Sequence, residues 1–302
     1  MCIGCGILAL PFATTEAGLI GSPVLMLIVA ILNGISSCML LRCEKATNFI
    51  DIPNNISSTY AKLGYRACGW IGVYVIDTSI IVTLLGVCVT YIITFAQLMS
   101  SVFNISINNL IIVFCLCVYP ISCSENIKRL SLVSILGMGC LLISVAVILI
   151  YGFYSYNSDH LIKNSFALSY WPESVSGLLN FIGISTFCID ICTPIFPIEE
   201  SLLNKKEIYS SILISIIFVW STYCIFGNLG AILYSNREMP IESNILLNLP
   251  NDPLIGTSVR LALALVLFIA FTFLSVFIYT HLFKLGLFAY LSYHIFNCGS
   301  NG

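Results

Sequence analysis

Residues 4–18 read GCGILALPFATTEAG, an apolar stretch in which two glycines and a proline fall within eight positions. Gly4, Gly6 and Pro11 weaken a regular helix, because glycine is conformationally permissive and proline lacks an amide proton. In a bilayer, freed backbone groups are tolerated only where protein or a water-filled cavity meets them. If this stretch crosses a membrane, it predicts a broken helix that lines a cavity.

The composition of the chain requires a membrane. Of its 302 residues, 59% are hydrophobic and only 9% are charged, whereas a soluble domain has about 25% charged residues. So few charges cannot cover a soluble surface, and so apolar a chain is not disordered. The formal net charge of −2 provides no basic surface for nucleic acid. We therefore expect an all-α, multi-pass integral membrane protein whose environment is the lipid bilayer.

Eight stretches are long and apolar enough to be membrane spans, each of which needs about 20 residues. They are residues 3–22, 23–42, 70–98, 108–123, 131–153, 175–198, 209–234 and 258–283. The polar segment 43–69 is expected to hold a short amphipathic helix, broken at Gly64 and Gly69.

The positions of Lys and Arg predict the orientation, since cytoplasmic loops carry an excess of them. With the N-terminus in the cytoplasm, nine of these residues lie inside and three outside. The acceptor sequence Asn104-Ile105-Ser106 then lies outside as a glycosylation site, and Asn55-Ile56-Ser57 lies inside.

The sixth span has an interruption similar to the first. Gly183 is followed by FCIDICTP at residues 187–194. Spans one and six are five apart, which is the spacing expected for two inverted repeats of five helices. Broken helices at corresponding positions indicate a transporter site near the middle of the membrane. Close helix packing by small residues is the alternative interpretation.

Asp190 lies inside this second interruption. A carboxylate near the middle of a span costs about 2.5–3.5 kcal/mol on insertion scales. It should therefore face a cavity, find a partner or be protonated. Two roles stay open: a functional acid, or a packing carboxylate bonded to freed backbone near Pro194. Glu199 and Glu200, at the inner end of the span, are expected to be solvated and charge-paired.

The stretch 4–18 is similar to the first-helix signature of the amino acid/auxin permease family, although Cys5 stands where that family has Ser or Thr. Further similarities extend to about residue 283. They are residues 61–64 (AKLG) with 86–91 (GVCVTY), residues 120–137, residues 197–202 (PIEESL), and Gly227 with residues 245–250 (ILLNLP).

The resemblance implies a five-plus-five inverted-repeat fold, similar to the leucine transporter, with helices 1 and 6 broken. It implies one transmembrane transporter domain over residues 1–302, with a first repeat at about 1–153 and a partial second repeat at about 175–283. The family has 10–11 spans and an earlier start to its first helix. Eight spans therefore predict an incomplete form of the fold, as in a truncated member.

The function implied by the resemblance is secondary active transport of an amino acid. The substrate-binding residues it implies are Gly4, Cys5, Gly6, Ile7, Phe187 and Asp190. Asp190 falls where proton-assisted members carry Glu, which implies proton symport with Asp190 as the coupling residue. Thr272 and Ser275 share one helix face and form a candidate sodium site, with an interhelical hydrogen bond as the alternative.

Two other functions stay open: a non-transporting membrane sensor that binds amino acids, and an inactive truncated family member. An enzyme is not expected, because no catalytic arrangement stands out and His160, His281 and His294 are isolated. No cofactor or metal is expected beyond a coupling proton or sodium ion. The expected ligand is an amino acid, a small molecule, and no protein partner can be inferred. The expected location is the plasma membrane or a vacuolar or lysosome-like membrane.

Overall fold

In the computed structural model, the regular secondary structure of the described residues is entirely helical. The described part of the chain comprises residues 5–47, 52–53, 56, 58–122, 127–155, 168–202, 207–235, 241–249 and 255–284, and it contains no strand. The α-helices are α1 (Leu10–Ala17), α2 (Gly21–Ala46), α3 (Thr59–Phe103), α4 (Ile107–Ser122), α5 (Ile127–Ser155), α6 (Val175–Cys188), α7 (Ile195–Ser201), α8 (Ile208–Tyr234) and α9 (Ile255–Lys284). Two 3-10 helices cover Cys5–Ala9 and Ile245–Asn248. The prediction of an all-α protein is confirmed.

Within the described residues, three helices are long and apolar enough to cross a membrane: α2, α3 and α8. Shorter apolar helices cover Ile107–Val118, Gly139–Tyr154, Val175–Cys188 and Gly256–Thr272. Every stretch predicted as a span contains a helix. The bounds differ in the first span, predicted as 3–22, because α1 already ends at Ala17 and α2 begins at Gly21, and in the third, predicted as 70–98, because α3 covers Thr59–Phe103.

The turn between α1 and α2 depends on Gly18, whose φ is +83° and ψ 156°. The amide groups of Leu19 and Ile20 donate to the carbonyl oxygens of Ser169 and Tyr170, at 3.0 and 3.1 Å. A Cβ at position 18 would lie 2.5 Å from the backbone nitrogen of Trp171. Segment 169–171 therefore crosses the turn too closely to allow a side chain there.

The long helix α3 is interrupted near its start by Cys68 and Gly69, whose backbone angles are not helical. The helix before this turn packs against the helix after it: a Cβ at Gly64 would lie 2.6 Å from Ile76 Cδ1, and a Cβ at Gly72 would overlap the carbonyl oxygen of Gly64. The break predicted at Gly69 is present. The one predicted at Gly64 is wrong, because that glycine lies within a helix and permits close packing.

The chain divides into two compact units, which are described separately. The first comprises Met1–Ala46 and Cys140–Ala262, and in it α8 packs closely on α1. A Cβ at Gly227 would lie 2.8 Å from Thr14 Oγ1, and one at Gly230 would lie 2.5 Å from Pro11 Cγ. Small residues allow such close approach between membrane helices.

The second unit comprises Thr47–Gly139 and Leu263–Gly302, and aromatic side chains form part of its core. Phe114 is 1% exposed. Its ring lies 4.6 Å from that of Phe95 on α3, and 5.5 and 5.0 Å from those of Phe268 and Phe271 on α9. The prediction of one domain with two repeats stays a prediction.

Arg260, one of the three cations predicted on the outer side, is buried at 2% exposure. Its Nε donates to the carbonyl oxygen of Leu246 at 3.2 Å, and its Nη2 donates to that of Leu249 at 2.6 Å. The guanidinium thus holds the 3-10 helix at Ile245–Asn248 and the residue that ends it. Hydrogen bonds of this kind are what make a buried arginine tolerable.

The turn at Gly18 predicts that a side chain at this position lowers the thermal stability of the protein. Gly18→Ala should lower the thermal midpoint of the purified protein, because this backbone conformation costs about 1–3 kcal/mol for a residue with a Cβ. Gly86→Ala is the matched control, since a Cβ there meets no atom within 4 Å. Equal midpoints for Gly18→Ala and the unaltered protein would contradict the steric argument.

The predicted topology is tested by glycosylation. Asn104 is exposed and follows the last residue of α3, with φ of 54°, whereas Asn55 lies outside the described residues. In a secretory membrane, glycosidase treatment should shift the unaltered protein and Asn55→Gln on a gel but leave Asn104→Gln unshifted. A shift that only Asn55→Gln removes would reverse the orientation.

Candidate functional site

The sixth span is interrupted where the sequence predicts a break. Helix α6 ends at Cys188 and α7 begins at Ile195. At the end of α6, the Ile189 amide still donates to the carbonyl oxygen of Ser185 at 3.0 Å. Residues 190–194 then leave the helical path. Backbone groups released at this point need partners, because hydrocarbon offers none.

Side chains of two other helices provide such partners. The hydroxyl of Tyr223 on α8, which is 1% exposed, lies 3.4 Å from the carbonyl oxygen of Cys188 and donates to it. Asn33 Oδ1 on α2 accepts from the Ile191 amide at 3.2 Å. The break is therefore supported from α2 and from α8.

Asn33 and Ser37 are site residues that the sequence analysis missed. Cys192 Sγ lies 3.5 Å from Asn33 Oδ1 and 3.3 Å from Ser37 Oγ, and Ser37 is fully buried. The two polar residues are four apart, so they share one face of α2. Two polar residues on one face of the run 23–41, which carries no charge, were the signal that could have identified them.

Asp190 is half-buried, and it accepts two hydrogen bonds from within the break itself. Its Oδ1 accepts from the Thr193 amide at 3.2 Å, and its Oδ2 accepts from the Thr193 hydroxyl at 2.5 Å. A short acidic side chain bonded to backbone a few residues ahead shapes a local turn. The bond to freed backbone near Pro194, one of the two roles left open by the sequence, is therefore present. Its role in proton coupling stays a prediction.

The N-terminal stretch lies against the break in the sixth span. Its described residues are continuously helical, because the 3-10 helix Cys5–Ala9 leads directly into α1 at Leu10, so the break predicted in the first span stays a prediction. Gly4 lies outside the described residues, and of Cys5 only the backbone, in a 3-10 helix, is described. A Cβ at Gly6 would lie 2.7 Å from Cys188 Sγ and 3.1 Å from Phe187 Cδ1. The structure thus brings Gly6 and Phe187, both predicted substrate-binding residues, together beside Cys188.

The exposure of the predicted residues in these two stretches differs. Ile7 is fully buried. Phe187, at 40% exposure, has a ring that is accessible in part.

Thr272 and Ser275 belong to the second unit. The Thr272 hydroxyl donates to the carbonyl oxygen of Phe268 at 2.8 Å, and the Ser275 hydroxyl donates to that of Thr272 at 2.8 Å. Both bonds lie within α9, so they are not the interhelical bond that was the alternative to a sodium site. Each hydroxyl oxygen keeps lone pairs that can accept or coordinate.

Glu199 differs from its prediction as a solvated residue. It is only 2% exposed, and its Oε1 lies 3.5 Å from Lys45 Nζ on α2. The Lys45 ammonium also lies 4.8 Å from the centre of the Tyr209 ring, within the range of a cation–π contact. The predicted charge pairing is present, but α7 packs so that the carboxylate is buried.

These features define a multi-pass helical membrane protein in which an interrupted span contacts the N-terminal helical segment. The model of the family Transmembrane amino acid transporter protein matches residues 1–298. The chain belongs to this family, which consists of transporters and not of enzymes.

Curated relatives carry names of the same kind. Amino acid transporter ANT1 of Arabidopsis thaliana is 25% identical over an alignment of 281 residues, which covers 90% of this chain and 61% of that protein. Amino acid transporter AVT3C of the same plant is 25% identical over 300 residues, covering 89% and 64%. Vacuolar amino acid transporter 7 of Saccharomyces cerevisiae is 24% identical over 252 residues, covering 82% and 49%.

The chain spans 49–65% of the length of the curated relatives it matches. No solved structure matches it significantly.

The contact of Gly6 with Cys188 predicts that the effects of substitutions at these two positions on thermal stability depend on each other. Gly6→Ala should lower the thermal midpoint, because overpacking typically costs about 1–3 kcal/mol. Cys188→Ala in the same chain removes the closest atom and should recover most of that loss. Cys188→Ala alone is the control that completes the double-mutant cycle. Additive effects of the two substitutions would show that the Cys188 thiol does not limit position 6.

Proposed function

We propose that the protein is a secondary active amino acid transporter whose substrate site lies where the N-terminal segment meets the break in the sixth span. The observation that carries this proposal is the contact of Gly6 with Phe187 and Cys188. Transporters of this kind bind substrate where two broken spans lie against each other, and we propose that the first span is broken near Gly4 as the sixth is broken after Cys188. Family membership and the names of the relatives support an amino acid as the substrate.

The N-terminal segment and the break in the sixth span offer groups for both charges of an amino acid zwitterion. Backbone amide groups near Gly4–Ile7 are proposed to bind the substrate carboxylate, since half-helix N-termini favour negative charge. The absence of a side chain at Gly4 would let the substrate approach the backbone closely, whereas at Gly6 it lets Cys188 and Phe187 of the sixth span approach. Asp190 is an acidic group on the adjoining segment, where it could face the substrate ammonium.

We further propose that Asp190 couples transport to protons. Both of its carboxylate oxygens accept hydrogen bonds from Thr193. A proton on one oxygen adds a donor there and makes that oxygen a weaker acceptor, so the bond from the Thr193 amide would weaken or the bond with the Thr193 hydroxyl would reverse its direction. Because Thr193 immediately precedes Pro194 and α7, protonation would change the turn from which α7 begins.

One proton is an adequate driving force for this step. Moving one elementary charge across 100 mV is worth about 2.3 kcal/mol. Since about 1.4 kcal/mol corresponds to a tenfold ratio, this supports roughly 40-fold accumulation of a neutral substrate.

The transport proposal is tested with the chain reconstituted into lipid vesicles. Asp190→Asn keeps the size of the side chain but cannot titrate, so it should abolish proton-driven accumulation of labelled amino acid while sparing exchange. Thr186→Val is the matched control, because it removes a hydroxyl on α6 that bonds to the carbonyl oxygen of Ile182 and leaves both Asp190 bonds intact. We expect this variant to retain pH-dependent accumulation.

Two outcomes would contradict these proposals. If Asp190→Asn concentrates substrate with the same pH dependence as the unaltered protein, Asp190 is a packing carboxylate and not the coupling group. If the unaltered protein binds an amino acid but neither exchanges nor accumulates it, the sensor function replaces transport.

The candidate sodium site at Thr272 and Ser275 is a separate proposal with its own test. If these hydroxyl oxygens coordinate sodium, uptake should fall when choline replaces the ion, and Thr272→Ala should weaken the dependence on sodium concentration. Uptake unchanged by either treatment would leave the two hydroxyls with their bonds inside α9.

We propose a vacuolar-type membrane over the plasma membrane as the location. The yeast relative is named a vacuolar transporter. Fractionation of cells that produce the tagged chain tests this, and recovery with plasma-membrane markers would contradict it.

A further inference from the structure

Over about three turns, one face of α2 contacts the break in the sixth span and the helix α7 that follows it. Asn33, Ser37 and Lys45 follow one another at intervals of four and eight residues, so they lie on one stripe of the helix. Asn33 contacts Ile191 and Cys192, Ser37 contacts Cys192, and Lys45 pairs with Glu199. We call these three residues the α2 stripe.

Within the α2 stripe, Asn33 makes the bond nearest to Asp190. Ile191 is 3% exposed, so water does not provide a ready alternative partner for its amide. Because the peptide unit is planar, the Ile191 amide and the Asp190 carbonyl belong to one rigid group. A bond that holds the amide therefore also fixes the direction of that carbonyl.

We propose that Asn33 is the positioning residue of the substrate site. Its amide oxygen anchors the peptide group between Asp190 and Ile191, and so fixes where the break turns toward α7. Asn33 acts through the backbone of the break and touches no substrate. The consequence for transport rests on the proposed function, whereas the anchoring itself does not.

Hydrogen exchange at the Ile191 amide measures the anchoring directly. In the unaltered protein, overlapping peptides over residues 189–194 should show a protected Ile191 amide. Asn33→Ala should speed its exchange about tenfold, because loss of a buried partner typically costs about as much as a tenfold change in population. Asn33→Asp keeps an oxygen at the same place and should restore most of the protection.

Ser37→Ala is the matched control for this measurement. It removes a contact of Cys192 from the same stripe but leaves the Asn33 bond to Ile191 intact. Exchange at Ile191 should therefore stay within about twofold of the unaltered protein. If Ser37→Ala speeds exchange as much as Asn33→Ala, general packing of α2 is responsible and the proposal fails.

A transport measurement separates positioning from folding. Asn33→Ala should raise the KM for the amino acid more than it lowers kcat, and Asn33→Asp should restore the KM. Asn180→Ala, which removes an exposed bond to Glu16, should leave the KM unchanged.

The anchoring and the transport proposal fail in different ways. An unprotected Ile191 amide in the unaltered protein, a measurement that needs no variant, overturns the role of Asn33. So does an Asn33→Asp variant whose exchange matches that of Asn33→Ala. An absence of transport by the unaltered protein overturns the proposed function instead, while the exchange data still decide whether Asn33 anchors the break.

Discussion

A peptide group released from a helix inside a bilayer has to find its hydrogen bonds in other parts of the protein. This constraint explains much of the first compact unit. Because Cys188 and Ile191 are bonded by Tyr223 and Asn33, α8 and α2 must lie next to the break. Helix α8 can lie close to α1 as well because it presents small residues, Gly227 among them, on that side.

Features that arise within a short stretch of sequence were predicted well. The apolar runs indicate the helices, and the glycine and proline content of residues 183–194 indicates the interruption, because each depends on neighbouring residues. The partners of the break were missed. Asn33 and Ile191 are 158 positions apart, and no local pattern relates them. The burial of Glu199 was missed for the same reason, since its ion-pair partner lies on α2.

The position of Asp190 combines two requirements that the sequence presented as alternatives. Its carboxylate accepts from the Thr193 amide and hydroxyl, which is a structural role in the turn. A group that shapes a turn through its own acceptor oxygens is also one whose protonation alters that turn. The local geometry therefore makes a structural role and a proton-coupled role compatible.

The buried guanidinium of Arg260 has a consequence for how the chain is made. Its acceptors, the carbonyl oxygens of Leu246 and Leu249, precede it by 14 and 11 residues. During synthesis they leave the ribosome first, so partners for this cation already exist when α9 begins to enter the membrane. A charge that is costly to insert alone can thus be delivered with its hydrogen bonds formed. The folding of residues 246–260 becomes part of membrane insertion and not a step after it.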